Sequence, residues 1–128
     1  WVILLFLILW LELRTNLSSI RKLTPQETVK LMNQPHTLVL DLRDKEKFNQ
    51  GHILGAKNVP FSELLEKQSK YFRLKNKRDM VIISQTEQAA IKCALQLKKT
   101  GFEKLYVLKG GIVGWQQANM PIVSQKQN

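Results

Sequence analysis

An α/β domain with a mainly parallel sheet and helices on both of its faces is the fold class this sequence predicts. Two observations carry the expectation. Short apolar or β-branched runs alternate with helical segments from residue 24 onward. The right-handed crossover rule for parallel strands then distributes those helices over both faces of the sheet. The chain has 128 residues, 44% hydrophobic and 23% charged, which suits one globular domain.

The elements follow in order. Thr24-Pro25-Gln26-Glu27 is a strong helix start: Thr24 can cap, Pro25 suits the first turn, and Glu27 closes a capping box. That helix is expected to reach Met32 and to end before Pro35. Residues 37–42 read as a buried strand. Residues 45–49 make a short helix ended by Gly51, residues 57–59 a short strand, and residues 61–67 a helix. Residues 80–83 are an apolar strand. The helix over residues 88–99 puts Ala89, Ala90, Cys93, Ala94 and Leu97 on one face and closes at Gly101. A strand over 105–108 and a last helix over 111–118 complete the pattern.

Residues 1–11, WVILLFLILWL, are wholly apolar. As a helix they rise about 16 Å, roughly half of a bilayer's hydrocarbon core. They offer no polar face for amphipathic packing. Glu12-Leu13-Arg14 follows, which is not the small-residue cleavage site of a signal peptide. With Trp as the first residue, the segment is expected to be the end of a spanning helix. The expected organisation is a partial membrane anchor at 1–13, a linker at 14–21, the domain at 22–123 and a polar tail at 124–128. Arg14, Arg21 and Lys22 follow the apolar run, so the positive-inside rule predicts a single pass through a bacterial-type inner membrane with the domain facing the cytoplasm. The one cysteine, Cys93, excludes an internal disulfide and fits a reducing compartment.

Formal net charge is +10. Basic residues concentrate at Lys67, Lys70, Arg73, Lys75, Lys77 and Arg78, a candidate binding surface. Beside a membrane such a run favours anionic headgroups by about 1 kcal/mol per charge. Only Tyr71 and Phe72 interleave with the charges and no nucleic-acid motif is present, so nucleic acid is not expected as a partner. A solvated basic face explains the run without any ligand. No metal site and no cofactor are expected.

Residues 39–60 read VLDLRDKEKFNQGHILGAKNVP, with Asp41-x-Arg43 after a strand and then Gly51-His52-Ile53-x-Gly55-Ala56-x-Asn58-Val59-Pro60. Residues 101–115 read GFEKLYVLKGGIVGW, with Gly101-Phe102 and Leu108-x-Gly110-Gly111-Ile112-x-x-Trp115. In this order and within this βα pattern the two stretches resemble the signatures of rhodanese-like domains, over residues 22–123. The resemblance implies a three-layer domain around a five-stranded, mainly parallel sheet. It also implies an active-site loop after a central strand, reading roughly Cys-x-x-Gly-x-Arg-Ser, whose thiolate carries sulfane sulfur. Asp41, Arg43 and His52 are implied to brace the loops rather than to react. Ile112 and Trp115 read as packing residues.

Counting back from Gly101-Phe102 places this loop at Ser84, Gln85, Thr86, Glu87, Gln88 and Ala89. Ser84 then stands for the cysteine, Glu87 for the glycine and Ala89 for the arginine. A serine hydroxyl lacks an accessible anion at neutral pH and cannot carry persulfide sulfur. A hydrolase use of Ser84 needs a neighbouring base, and His36 and His52 are the only histidines. Ser84-x-x-Glu87 fits a capping box, so Ser84 is expected to cap the following helix while Glu87 fills the anion cradle and repels thiosulfate or phosphate; the alternative is that Glu87 points to solvent. Cys93 is expected to be an inert thiol packed in the core.

The function these readings predict is a membrane-anchored, rhodanese-like binding, regulatory or scaffolding module without catalytic residues. Its expected partners are the membrane through the N-terminal segment, anionic lipid and an unidentified protein. The alternative is an atypical sulfurtransferase that uses Cys93 or a partner's cysteine. A phosphatase or arsenate reductase on a related fold needs the same loop cysteine and ranks below both.

Overall fold

Central in the sheet lies β4 (Asp79–Ile83), between β2 (Thr37–Asp41) and β5 (Leu105–Leu108). The edges are β1 (Arg21–Leu23), beside β5, and β3 (Lys57–Asn58), beside β2. All four pairings are parallel. The computed structural model describes residues 1–18, 20–66, 69–74 and 76–124. Thus Lys67, Lys75 and most of the expected polar tail lie outside the described residues.

The strands alternate sides as the two-residue period requires. On one face Leu40, Met80, Ile82 and Val107 meet α4 (Phe61–Leu65), α5 (Lys70–Arg73) and α6 (Glu87–Lys99), through Leu64, Tyr71, Ala90, Ala94 and Leu97. On the other, Val39, Val81, Ile83 and Leu108 meet α2 (Pro25–Met32), α3 (Lys45–Gln50) and α7 (Gly111–Gln117), through Leu31, Phe48, Ile112 and Trp115. These are the three layers, and the five-stranded sheet, that the resemblance implied.

Local signals account for several boundaries. The Thr24 capping box is formed: the Glu27 N–H donates to Thr24 Oγ1 at 3.1 Å, and the Thr24 N–H reaches Glu27 Oε1 at 3.4 Å. Ile112 and Trp115 are each 2% exposed, packing residues as read. Two assignments change. Residues 14–18, expected as linker, continue α1 (Val2–Ser18), and the sheet already begins at Arg21. Three residues are too few for a hydrophobic period to register. The basic segment contains a separate one-turn helix, α5, capped by Ser69, whose Oγ accepts from the Phe72 N–H at 3.1 Å.

The spanning helix and the single-pass inner-membrane placement with a cytoplasmic domain are corrected. No helix among the described residues is long and apolar enough to cross a membrane. α1 has 17 residues and includes Glu12 and Arg14. Its side chains from Trp1 to Leu13 are largely exposed.

The chain leaves β2 toward β3 and leaves β4 toward β5, in opposite directions across the sheet. Such a reversal opens a crevice beyond the carboxyl ends of the two neighbouring strands, where ligands of open α/β sheets bind.

Candidate functional site

Two segments enter that crevice, residues 42–44 after β2 and residues 84–86 after β4. At the end of β2 the Asp41 side chain is fully buried. It accepts from the Arg43 backbone N–H at 3.0 Å and from Arg43 Nε and Nη2 at 3.0 and 2.8 Å. Nη2 also donates to the Gly51 carbonyl at 2.7 Å. Asn58 Nδ2 donates to the backbone carbonyls of Asp41 and Arg43, at 3.1 and 2.8 Å. A buried carboxylate held by both a guanidinium and a backbone amide is a brace, because every polar atom is spent on neighbouring chain.

His52 is likewise tied to neighbouring chain. Its Nδ1 donates to the Phe48 carbonyl at 2.8 Å, and its ring stacks on Phe48 with centroids 3.9 Å apart. Its backbone exchanges two 2.8 Å hydrogen bonds with Val123, which fastens the end of the domain. No hydrogen bond joins His52 or His36 to Ser84 among the described residues.

Ser84 follows β4 directly. Its carbonyl accepts from the Ile112 N–H at 3.1 Å. The cap of α6 is Thr86, not Ser84: Thr86 Oγ1 accepts from the Ala89 N–H at 3.2 Å. The expected Ser84–Glu87 box is therefore not formed. Thr86 wins because Glu87 is already in the first turn and points away. Glu87 Oε1 accepts from the Gly110 N–H at 3.0 Å, and Oε2 lies 3.3 Å from Lys22 Nζ. The Gly110 hydrogen bond holds the Glu87 carboxyl below its ordinary value; partial burial opposes this, and Lys22 and Lys109 assist. The carboxylate ties α6 to the start of α7 instead of filling the loop.

The loop is also pinned sterically. Gly111 has φ +62°, and a Cβ there would stand 2.8 Å from the Gln85 carbonyl oxygen and 2.9 Å from Thr86 Cα. Only glycine lets α7 start against residues 85 and 86. Beside them is a cleft of about 280 Å³ lined by Arg43, Lys47, Gln50, Gly51, Gln85, Ile112 and Gln116. Lys47 and three carboxamides offer donors to it, Arg43 being paired with Asp41, and no carboxylate lines it, which suits an acceptor-rich anionic group.

Cys93 lies nearly two turns into α6. It is half-buried, so the expected full core packing is corrected: Ala90, Ala94 and Leu97 fill the core and Cys93 sits at its margin. Burial raises its thiol pKa, and Lys92 works against that. Among the basic residues, Lys70, Arg73 and Lys77 are exposed and Arg78 is half-buried; none lines the cleft. No cluster of metal-ligating side chains occurs among the described residues.

Sequence reasoning missed Lys22, Lys47, Gln50, Gly110 and Gln116 as parts of this region. Gly110 and Gly111 stood in the quoted second motif, and their pairing was the signal for a close backbone approach. The glutamines and lysines carried no signal, since exposed polar residues abound.

The family model of the rhodanese-like domain matches residues 24–118. The uncharacterized protein YibN of Escherichia coli K12 is 32% identical over 98% of this chain and 88% of its own. Among solved structures, a Rhodopseudomonas palustris protein of unknown function, titled a possible tyrosine phosphatase, superposes with a TM-score of 0.71 at 22% identity, over 83% of this chain and 86% of that one. A thiosulfate sulfurtransferase from Pseudomonas aeruginosa gives a TM-score of 0.69 at 27% identity, over 83% of this chain and 20% of that one.

Proposed function

Because the chain belongs to the rhodanese-like domain family, we propose that it is a member without sulfur-transfer activity, working as a binding or scaffolding module through the cleft beside residues 84–87. The observation that carries this reading is Ser84 itself. It follows the central strand, the position that counting from the second motif assigns to a rhodanese-type cysteine, and residues 84–89 contain no thiol. Sulfane sulfur is held as an S–S bond, which requires a thiolate that both attacks and leaves readily. A hydroxyl does neither at neutral pH.

Two further features support it. Glu87 stands where the resemblance implies glycine, and its carboxylate is spent on Gly110 and Lys22. Cys93 is displaced along α6 and has a raised pKa. What the cleft retains is recognition chemistry: Arg43 is fixed by Asp41, and Lys47 with the three glutamines offers donors to an acidic group on a partner protein.

The test is thiosulfate:cyanide sulfurtransferase activity of the whole chain, beside Ser84→Cys and Cys93→Ala. No activity in the unaltered chain is the expected result. Activity that disappears in Cys93→Ala overturns the proposal and makes Cys93 the carrier.

A further inference from the structure

A second and larger concavity lies at the opposite flank of Arg43, at the sheet edge. β3 has only two residues, too few to cover the rim of the sheet. The cores of the two faces therefore approach each other past its outer side. Phe48 and Ala56 come from one face and Phe61 and Tyr71 from the other, and together they floor a groove of about 860 Å³. That volume falls in the range of small-molecule sites, roughly 300–1,000 Å³. It also lies beyond the carboxyl ends of β2 and β3, the side of a parallel sheet that takes ligands.

Its polar groups are few and specific. Tyr71 is 6% exposed and lines the groove, its ring packed in the core. No buried side-chain polar atom among the described residues lacks a partner, so the hydroxyl meets solvent in the groove, where an occupant's polar atom could replace water. The rim carries Lys45 and Lys57, both exposed, against the single carboxylate Asp44. Arg43 adds no free charge, because Asp41 neutralises it. The rim thus has an excess of one positive charge. The wall is rigid: both amide hydrogens of Asn58 are spent on the carbonyls of Asp41 and Arg43.

From this we infer that the groove between α3, β3 and α5 is a binding site for a small organic monoanion, with an aromatic or branched apolar body against Phe48 and Phe61, a polar atom on Tyr71 Oη, and its negative charge at Lys45 and Lys57. The inference does not depend on whether residues 84–87 transfer sulfur.

The probe is indole-3-acetate, which joins an aromatic body and an N–H to one carboxylate, with neutral indole-3-acetamide as its control. Backbone amide shifts of the whole chain are followed during titration. Saturable shifts are expected at residues 42–49 and 56–61, in the millimolar range or better for so small a ligand. The amide control should bind about 5-fold more weakly, and so should the acid to the Lys45→Ala/Lys57→Ala variant. Tyr71→Phe keeps the ring in the core and should weaken binding about 3-fold to 5-fold. Shifts centred on residues 84–87 and 112–116, equal affinity for acid and amide, an unchanged affinity in Tyr71→Phe, or no saturable shift by about 10 mM would each overturn the assignment.

Discussion

The Gly110 N–H donates to Glu87 Oε1 at 3.0 Å, so the first turn of α6 is held to the N-cap of α7 by one carboxylate. The folded pKa of Glu87 is lowered from 4.5. A depressed carboxylate adds stability that is present above its unfolded pKa and is lost as pH falls through the folded value. Glu87→Gln should therefore cost about 0.5–1 kcal/mol at pH 7, modest because the hydrogen bond is exposed to solvent. The gap between the two proteins should close as pH falls from about 5 through the folded pKa. Urea denaturation at a series of pH values measures it. A gap that persists below about pH 3 would show that the carboxylate charge is not the stabilising element.

Gly111→Ala is expected to be among the most damaging single-methyl additions in the protein. The new Cβ would meet the Gln85 carbonyl at 2.8 Å and adopt a positive φ as well. Close contact and backbone strain together should cost about 2–4 kcal/mol. Gly55 also has a positive φ, +90°, yet nothing lies within 4 Å of its missing Cβ. Gly55→Ala should cost only the conformational part, about 1–2 kcal/mol. Thermal unfolding of the two variants side by side separates strain from crowding, and equal losses would sink the packing argument.

Much of this was legible in the sequence, for definite reasons. The strand-helix alternation and the two long motifs carried the sheet, both layers, and the Asp41–Arg43 brace. Ser84 was located at the end of β4 because the helix closed by Gly101-Phe102 has a countable length. Three things stayed hidden. β1 is too short to show a period, Thr86 and Ser84 are equally good caps on paper, and the partner of Glu87 is a backbone amide more than twenty residues away. The uniform apolarity of residues 1–11 pointed to the end of a spanning helix, whereas no helix among the described residues is long and apolar enough to cross a membrane.

The Asp41–Arg43 pair predicts an asymmetry. Arg43→Met leaves the buried Asp41 carboxylate with the backbone N–H of residue 43 as its one remaining donor among the described residues, and should destabilise by about 3–5 kcal/mol. Adding Asp41→Asn removes the stranded charge and should recover part of that loss. Lys47→Met, in an exposed residue of the same cleft, should change stability by less than about 0.5 kcal/mol. Denaturant midpoints of these variants, of Asp41→Asn alone and of the unaltered chain settle the comparison. Additive losses in the double variant would mean that the two side chains are not coupled.

Cys93 offers the sharpest check on the chemistry of the family fold in this chain. A thiol acts as sulfur acceptor only through its thiolate, and burial raises the Cys93 pKa above the ordinary 9.0. The rate of alkylation by iodoacetamide should then rise with pH along a curve whose midpoint lies above 9.0, and at pH 7 the folded protein should react several-fold more slowly than the same chain in guanidinium. Unfolding removes the burial, so the midpoint should move down when denaturant is added. Lys92, beside Cys93, pulls the other way, and Lys92→Ala should push the folded midpoint slightly further up. Rapid alkylation of the folded chain at pH 7 would mean that α6 presents a usable thiolate despite its burial, and Ser84 would no longer stand as the reason for an inactive loop.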